Sequence, residues 1–115
     1  MSALRTEFDA LLKQAKASGW SVGKETKQQG MAERPFTRGG DSVTIAYWHG
    51  KGQYGSDFVP LSLFHGDKEI ANLDVLKMKH AASGKLDADS VNYANEYGKR
   101  LLDTAKRLLT AKPSK

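Results

Sequence analysis

The chain has 115 residues, a formal net charge of +5 and no cysteine. One domain takes about 100–200 residues, so this length predicts a single domain around one core. The missing cysteine excludes a disulfide framework, a thiol nucleophile and a metal site with thiolate ligands. No apolar run is long enough for a membrane span or a secretory signal, so we expect a cytoplasmic protein.

The N-terminal third predicts one helix followed by weaker elements. An amphipathic helix is predicted over 3–18, because its apolar residues recur three and four positions apart: Leu4, Phe8, Leu11, Leu12 and Ala15. Alternation predicts a short strand over 20–24. The polar stretch 25–34 contains glycine and predicts a loop. Residues 35–38 begin with proline, which favours a short edge strand.

The middle of the chain predicts strands. Residues 43–49 and 58–64 are rich in β-branched and aromatic side chains, and a glycine-rich loop over 50–57 joins them. Pro60 favours an edge position or a bulge in the second strand. A two-residue turn at 66–67 then leads into a returning strand over 68–71.

The C-terminal third predicts helices. Residues 72–83 fit a helix that begins at Asn72 better than they fit a strand. A long helix is predicted over 88–111, capped by Asp87 or Asp89. Its apolar stripe steps by three and four: Val91, Ala94, Gly98, Leu101, Ala105 and Leu108, widened by Tyr97, Leu102 and Leu109. A glycine within that stripe predicts the close approach of another backbone.

Together these elements predict a small α+β domain over residues 1–111, with a frayed tail over 112–115. The expected order is α-β-β-β-β-α-α. An antiparallel sheet of four or five strands would be flanked by the N-terminal helix and the long C-terminal helix, which cover one face.

The loop at 50–55 spells G-x-G-x-x-G. A dinucleotide site needs a helix after this motif, whereas a strand follows here, so the motif does not predict one. A hairpin loop is one interpretation. The other is a functional loop in which Lys51 and backbone N–H groups contact phosphate and Tyr54 stacks on a base.

Two further features point to a binding surface. Tyr47 and Trp48 are adjacent on a strand and point to opposite faces, so Trp48 is predicted to face outward if Tyr47 faces the core. The segment 24–38, which we call the basic arm, carries four cations against two acids. It is either a loop without order or an arm that contacts a phosphate backbone.

The charges of the long helix are interleaved. Three pairs of opposite charge stand four residues apart, which predicts mutual neutralisation on a solvated face: Glu96–Arg100, Lys99–Asp103 and Asp103–Arg107.

Catalytic and metal motifs are missing from the sequence. His49, His65 and His80 lack metal-ligand spacing, and there is no H-E-x-x-H, P-loop or G-x-S-x-G. We therefore expect no catalytic residue, no metal, no cofactor and no enzymatic activity.

The sequence thus predicts a non-enzymatic nucleic-acid-binding protein with largely sequence-independent contacts. The alternative is a protein–protein interaction module, such as a small inhibitor, an adaptor or a homodimer, that binds an acidic protein partner through the same aromatic surface. Both hypotheses use one set of residues: Lys24, Lys27, Arg34, Phe36, Arg38, Trp48, Lys51 and Tyr54.

Overall fold

The computed structural model describes residues 3–28, 31–49, 58–74, 77, 79, 82 and 87–111. Within them, two helices pack on a six-stranded sheet, which confirms the predicted α+β class. The helices are α1 (Ala3–Ala17) and α2 (Ala88–Thr110). The strands are β1 (Ser21–Val22), β2 (Thr26–Gln28), β3 (Met31–Arg38), β4 (Asp41–His49), β5 (Phe58–His65) and β6 (Lys68–Asn72).

The sheet is antiparallel and runs in the order β1-β3-β4-β5-β6, with β2 also pairing with β3. Both helices cover one face of it. The Phe8 ring of α1 lies 4.9 Å from the Tyr47 ring of β4. Gly98 of α2 approaches Pro60, which is the β5 partner of Tyr47. The prediction that the two helices cover one face is confirmed.

Strand β4 carries the centre of the core. Val43, Ile45 and Tyr47 alternate along it and are fully buried beneath the helices. The register between β4 and β5 shifts at Ala46/Tyr47, so one extra residue of β5 is accommodated next to Pro60. Pro60 thus lies next to a bulge, and β6 pairs with residues 62–65 but not with Pro60, so both positions that the sequence allowed for this proline are observed.

Two predictions for the N-terminal third are wrong. Residues 26–28 and 31–34 form strands where a loop was expected, and residues 35–38 belong to β3, which lies between β4 and the pair β1 and β2. Pro35 is tolerated there because the ladder is interrupted beside it. Residues 23–25 separate β1 from β2 and lie opposite positions 34 and 35, where proline has no N–H to donate.

Gly23 makes this interruption possible. Its N–H donates to the Pro35 carbonyl at 2.8 Å. A Cβ added at Gly23 would lie only 2.6 Å from Cγ of the Pro35 ring, which is closer than carbon atoms pack. The segment between β1 and β2 can therefore approach Pro35 this closely only with glycine at position 23.

Helix α2 begins as predicted, with Asp87 as the capping residue. An Asp87 carboxylate oxygen accepts the Ser90 N–H at 2.8 Å. Gly98 is closely approached, but by side chains and not by another backbone. A Cβ added there would lie 3.1 Å from Leu4 and 3.1 Å from Pro60. The glycine thus lets α2 pack against α1 and the bulged strand together.

The helix predicted to begin at Asn72 does not begin there, because Asn72 pairs with Ser62 as the last residue of β6. Most of the remaining positions of 72–83 lie outside the described residues. The glycine-rich stretch 50–57 and the tail 112–115 also lie outside them.

Candidate nucleic-acid or partner interface

Arg38 closes the C-terminal ends of both helices. Its Nη1 donates to the Ser18 carbonyl at 3.0 Å, just beyond α1, and its Nη2 donates to the Ala111 carbonyl at 3.1 Å, just beyond α2. The guanidinium lies 4.5 Å from the centre of the Trp20 ring. These carbonyls form the negative ends of the helix dipoles, so the cation is well placed for the fold. Both terminal nitrogens of the Arg38 guanidinium are thereby hydrogen-bonded within the protein.

Arg34 also points inward. Its Nη1 donates to the Gly23 carbonyl at 3.2 Å, and its charge acts on the hydroxyl of Tyr47. That hydroxyl donates to Glu25. Burial raises the pKa of Tyr47 well above its usual range, and the bond to the Glu25 carboxylate raises it further. These three side chains tie the β1–β2 connection to the core.

The lysines of the basic arm remain at the surface. Lys27 lies 3.6 Å from a carboxylate oxygen of Glu25, with its side chain 61% exposed. Lys24 is exposed and forms no ion pair with any described residue. The arm therefore offers ammonium groups to a partner, whereas its two guanidinium groups are engaged inside the domain.

The aromatic candidates lie in three different settings. Phe36 is fully buried and packs in the core, so it has no accessible surface to offer a partner. Trp48 pairs with Met31 and Val59 and points to the face opposite Tyr47, as alternation predicts. It is partly buried against the core. Lys51 and Tyr54 lie outside the described residues.

The predicted charge pairing on α2 is only partly correct. Arg100 lies 3.1 Å from Glu96. The other two predicted pairs do not form among the described residues, so Lys99, Asp103 and Arg107 are exposed without ion partners there. Long exposed side chains lose rotamer entropy when they pair in water, which explains why spacing alone is a weak guide. Lys99 and Arg107 are therefore accessible to a partner, with the exposed Asp103 carboxylate between them on the same face of the helix.

Sequence reasoning missed an aromatic row on α2. Tyr97 was assigned to the apolar stripe but is 39% exposed. Its ring centre lies 4.6 Å from that of Tyr93 and 4.8 Å from the Arg100 guanidinium. Lys77 contributes an ammonium 5.8 Å from the Tyr93 ring. The spacing i, i+4, i+7 of the three α2 residues was the available signal.

A cleft of about 120 Å³ separates α1 from α2. Its polar lining comes from Glu7, Gln14, Asp103 and Lys106. The Oε2 atom of Glu7 is buried and accepts no hydrogen bond from any residue that the structure describes. A carboxylate oxygen without a donor is costly, so this cleft is a point of local instability in the helix layer.

Comparison of the chain with protein-family models, with curated proteins and with solved structures finds no match. No helix in the described part of the chain is long and apolar enough to cross a membrane. Function is therefore inferred from the exposed side chains and their geometry.

Proposed function

We propose that the protein is a non-enzymatic nucleic-acid-binding protein with largely sequence-independent contacts. The observation that carries the proposal is the set of exposed cations without ion partners among the described residues of the helix layer. Leu4, at the start of α1, lies against Gly98 in the middle of α2. Trp20, just after the end of α1, donates to the Leu109 carbonyl at the end of α2. The two helices therefore run side by side in the same direction. The cations stand along their C-terminal halves: Lys13, Lys16, Lys99, Lys106 and Arg107.

Exposed ammonium and guanidinium groups on one layer suit a phosphate backbone. Each phosphate that they neutralise releases condensed counterions, which drives binding whatever the base sequence. Base readout in a groove relies mostly on bidentate side chains such as arginine. Arg34 and Arg38 bond to carbonyl groups of the protein itself, and four of the five exposed cations named above are lysines, with Arg107 as the exception. This arrangement favours contacts to phosphate over contacts to base edges.

The test is fluorescence anisotropy with labelled single-stranded and duplex oligonucleotides at about 50 and 200 mM salt. The expected result is binding that weakens at least tenfold at the higher salt. The double variant Lys106→Glu with Arg107→Glu should weaken binding further, whereas the charge-preserving control Lys106→Arg with Arg107→Lys should leave it unchanged. Failure to bind either probe at low salt would refute the proposal.

One observation favours a second candidate, a homodimeric interaction module. Met31 is 44% exposed next to Trp48, on the sheet face opposite the helices. Methionine adapts to a protein surface, and an exposed apolar side chain beside a tryptophan is typical of an interface. Sedimentation equilibrium tests this candidate. A dimer that dissociates in Met31→Lys supports it, and a monomer at high micromolar concentration rejects it.

A further inference from the structure

The row formed by Lys77, Tyr93, Tyr97 and Arg100, which we call the α2 ladder, includes none of the cations of the helix layer, of which Arg107 follows Arg100 by two turns on the same face of α2. At 100° per residue, Tyr93, Tyr97 and Arg100 occupy the flank of α2 opposite the one that lines the cleft with α1. Two aromatic rings contact each other at an angle of 41° in the middle of the ladder, and a cation lies over one ring at each end.

Two members of the ladder, Tyr93 and Arg100, are held in place by contacts outside it. The Tyr93 hydroxyl accepts the Asp74 N–H at 2.9 Å, and the Tyr93 ring packs against the core. Arg100 is held by Glu96 at 3.1 Å. The side chains are thus ordered before any partner arrives, which lowers the entropic cost of binding. Tyr97, in the middle, remains 39% exposed.

We propose that the α2 ladder is a stacking platform for unpaired bases of single-stranded nucleic acid. This inference rests on the proposed function and adds to it the strand type and the stacking residues. Unstacked bases bind on the faces of tyrosine rings and on guanidinium planes. The exposed Lys77 ammonium at one end complements a phosphate that flanks a stacked base, and the Arg100 guanidinium, which is paired with Glu96, contributes its planar surface. A duplex keeps its base faces covered, so the ladder selects single strands.

The experiment compares Tyr97→Ala, Tyr97→Phe and the control Val91→Ala by anisotropy with a labelled single-stranded oligonucleotide and with its duplex. Val91 is a matched control, because it is 41% exposed on the same helix and lies outside the ladder. Tyr97→Ala should weaken single-strand binding about tenfold, since stacking on an aromatic side chain has this size. It should leave duplex binding and the salt dependence unchanged. Tyr97→Phe and Val91→Ala should bind as the parent protein does.

The variant Arg100→Lys provides a second test of stacking in the same assay. It keeps the charge but loses the planar group, so a stacking role predicts weaker single-strand binding with the same salt dependence. If Tyr97→Ala and Arg100→Lys bind single strands as tightly as the parent, with salt-dependent binding intact, the ladder is refuted while the proposed function stands. If the parent protein binds neither probe at low salt, both are refuted.

Discussion

Arg38 lies over the ring of Trp20, and the two side chains together bind the C-terminal ends of both helices. Arg38 donates to the carbonyls of Ser18 and Ala111, and Trp20 Nε1 donates to the carbonyl of Leu109 at 2.7 Å. The last turns of α1 and α2 are thereby tied to the end of β3. The pair adds to the cap that α1 already forms at Gly19, where the Trp20 N–H donates to the Ala15 carbonyl at 3.0 Å.

We predict that Arg38→Lys destabilises the protein by about 1–3 kcal/mol, because one ammonium cannot reproduce a fork that bonds two carbonyls and stacks on indole. Urea unfolding followed by tryptophan fluorescence measures the change. Lys24→Ala is the control, since Lys24 is an exposed cation nearby in sequence without an ion partner among the described residues. Equal midpoints for Arg38→Lys and the parent protein would contradict this role.

The raised pKa of Tyr47 predicts a loss of stability at alkaline pH. A tyrosine in the unfolded chain ionises near pH 10, whereas folding holds Tyr47 protonated to higher pH. This contribution is fully present below about pH 10 and declines as the pH rises above it. Unfolding free energies between pH 8 and 11 should therefore fall less steeply in Tyr47→Phe than in the parent protein. If the unfolding free energy falls with pH equally steeply in the two proteins, Tyr47 is not the group that causes the alkaline loss of stability.

Gly98→Ala tests the packing of α2. Alanine gains about 1 kcal/mol in helix propensity, but its methyl would press against Leu4 and the rigid ring of Pro60 at 3.1 Å. Overpacking costs about 1–3 kcal/mol, so we expect a net loss of stability and a lower Tm. Asn95→Ala is the control, because Asn95 is an exposed residue of the same helix. A methyl group there meets no crowding, so this substitution should raise the Tm slightly. A Tm for Gly98→Ala above that of the parent protein would mean that Leu4 and Pro60 move aside at little energetic cost.

Glu7→Gln is expected to stabilise the protein by about 1 kcal/mol at neutral pH, because it removes a negative charge whose buried oxygen lacks a donor. Chemical denaturation measures the gain. Asp103→Asn on the opposite wall of the cleft is the control, since that carboxylate is exposed and its replacement should change little. A destabilised Glu7→Gln would indicate that the carboxylate has a favourable partner in solution.

Much of the fold could be predicted from local patterns. The helical periodicity around Phe8 and Leu101 and the alternation along Val43 and Ile45 reflect which side chains meet the core. Strand β2 and the first half of β3 were missed, and the second half of β3 was wrongly expected at an edge, because the signal that places these strands is tertiary. Pro35 and a polar composition are typical of a loop, and only the break between β1 and β2 makes a central strand with proline possible.

The candidate site was less accessible to sequence reasoning. The partners of Arg38 are backbone carbonyls 20 and 73 positions away, which no local pattern reveals. The same limit applies to Phe36, which stands in the chain between a proline and a threonine although its strand partner Val43 is in the core. The ladder on α2 was within reach, because its three helical members follow the spacing of one helix face.

The contact between Gly23 and Pro35 has a consequence for how the protein behaves at high concentration. An uninterrupted sheet edge can recruit a strand from another molecule and start aggregation. Here the edge beyond β3 is divided into two short strands, and at the opposite edge β6 is bulged next to its lysine and glutamate. Neither described edge offers a long, regular row of N–H and C=O groups. The same proline that made β3 hard to recognise therefore also protects the sheet from growing into a polymer.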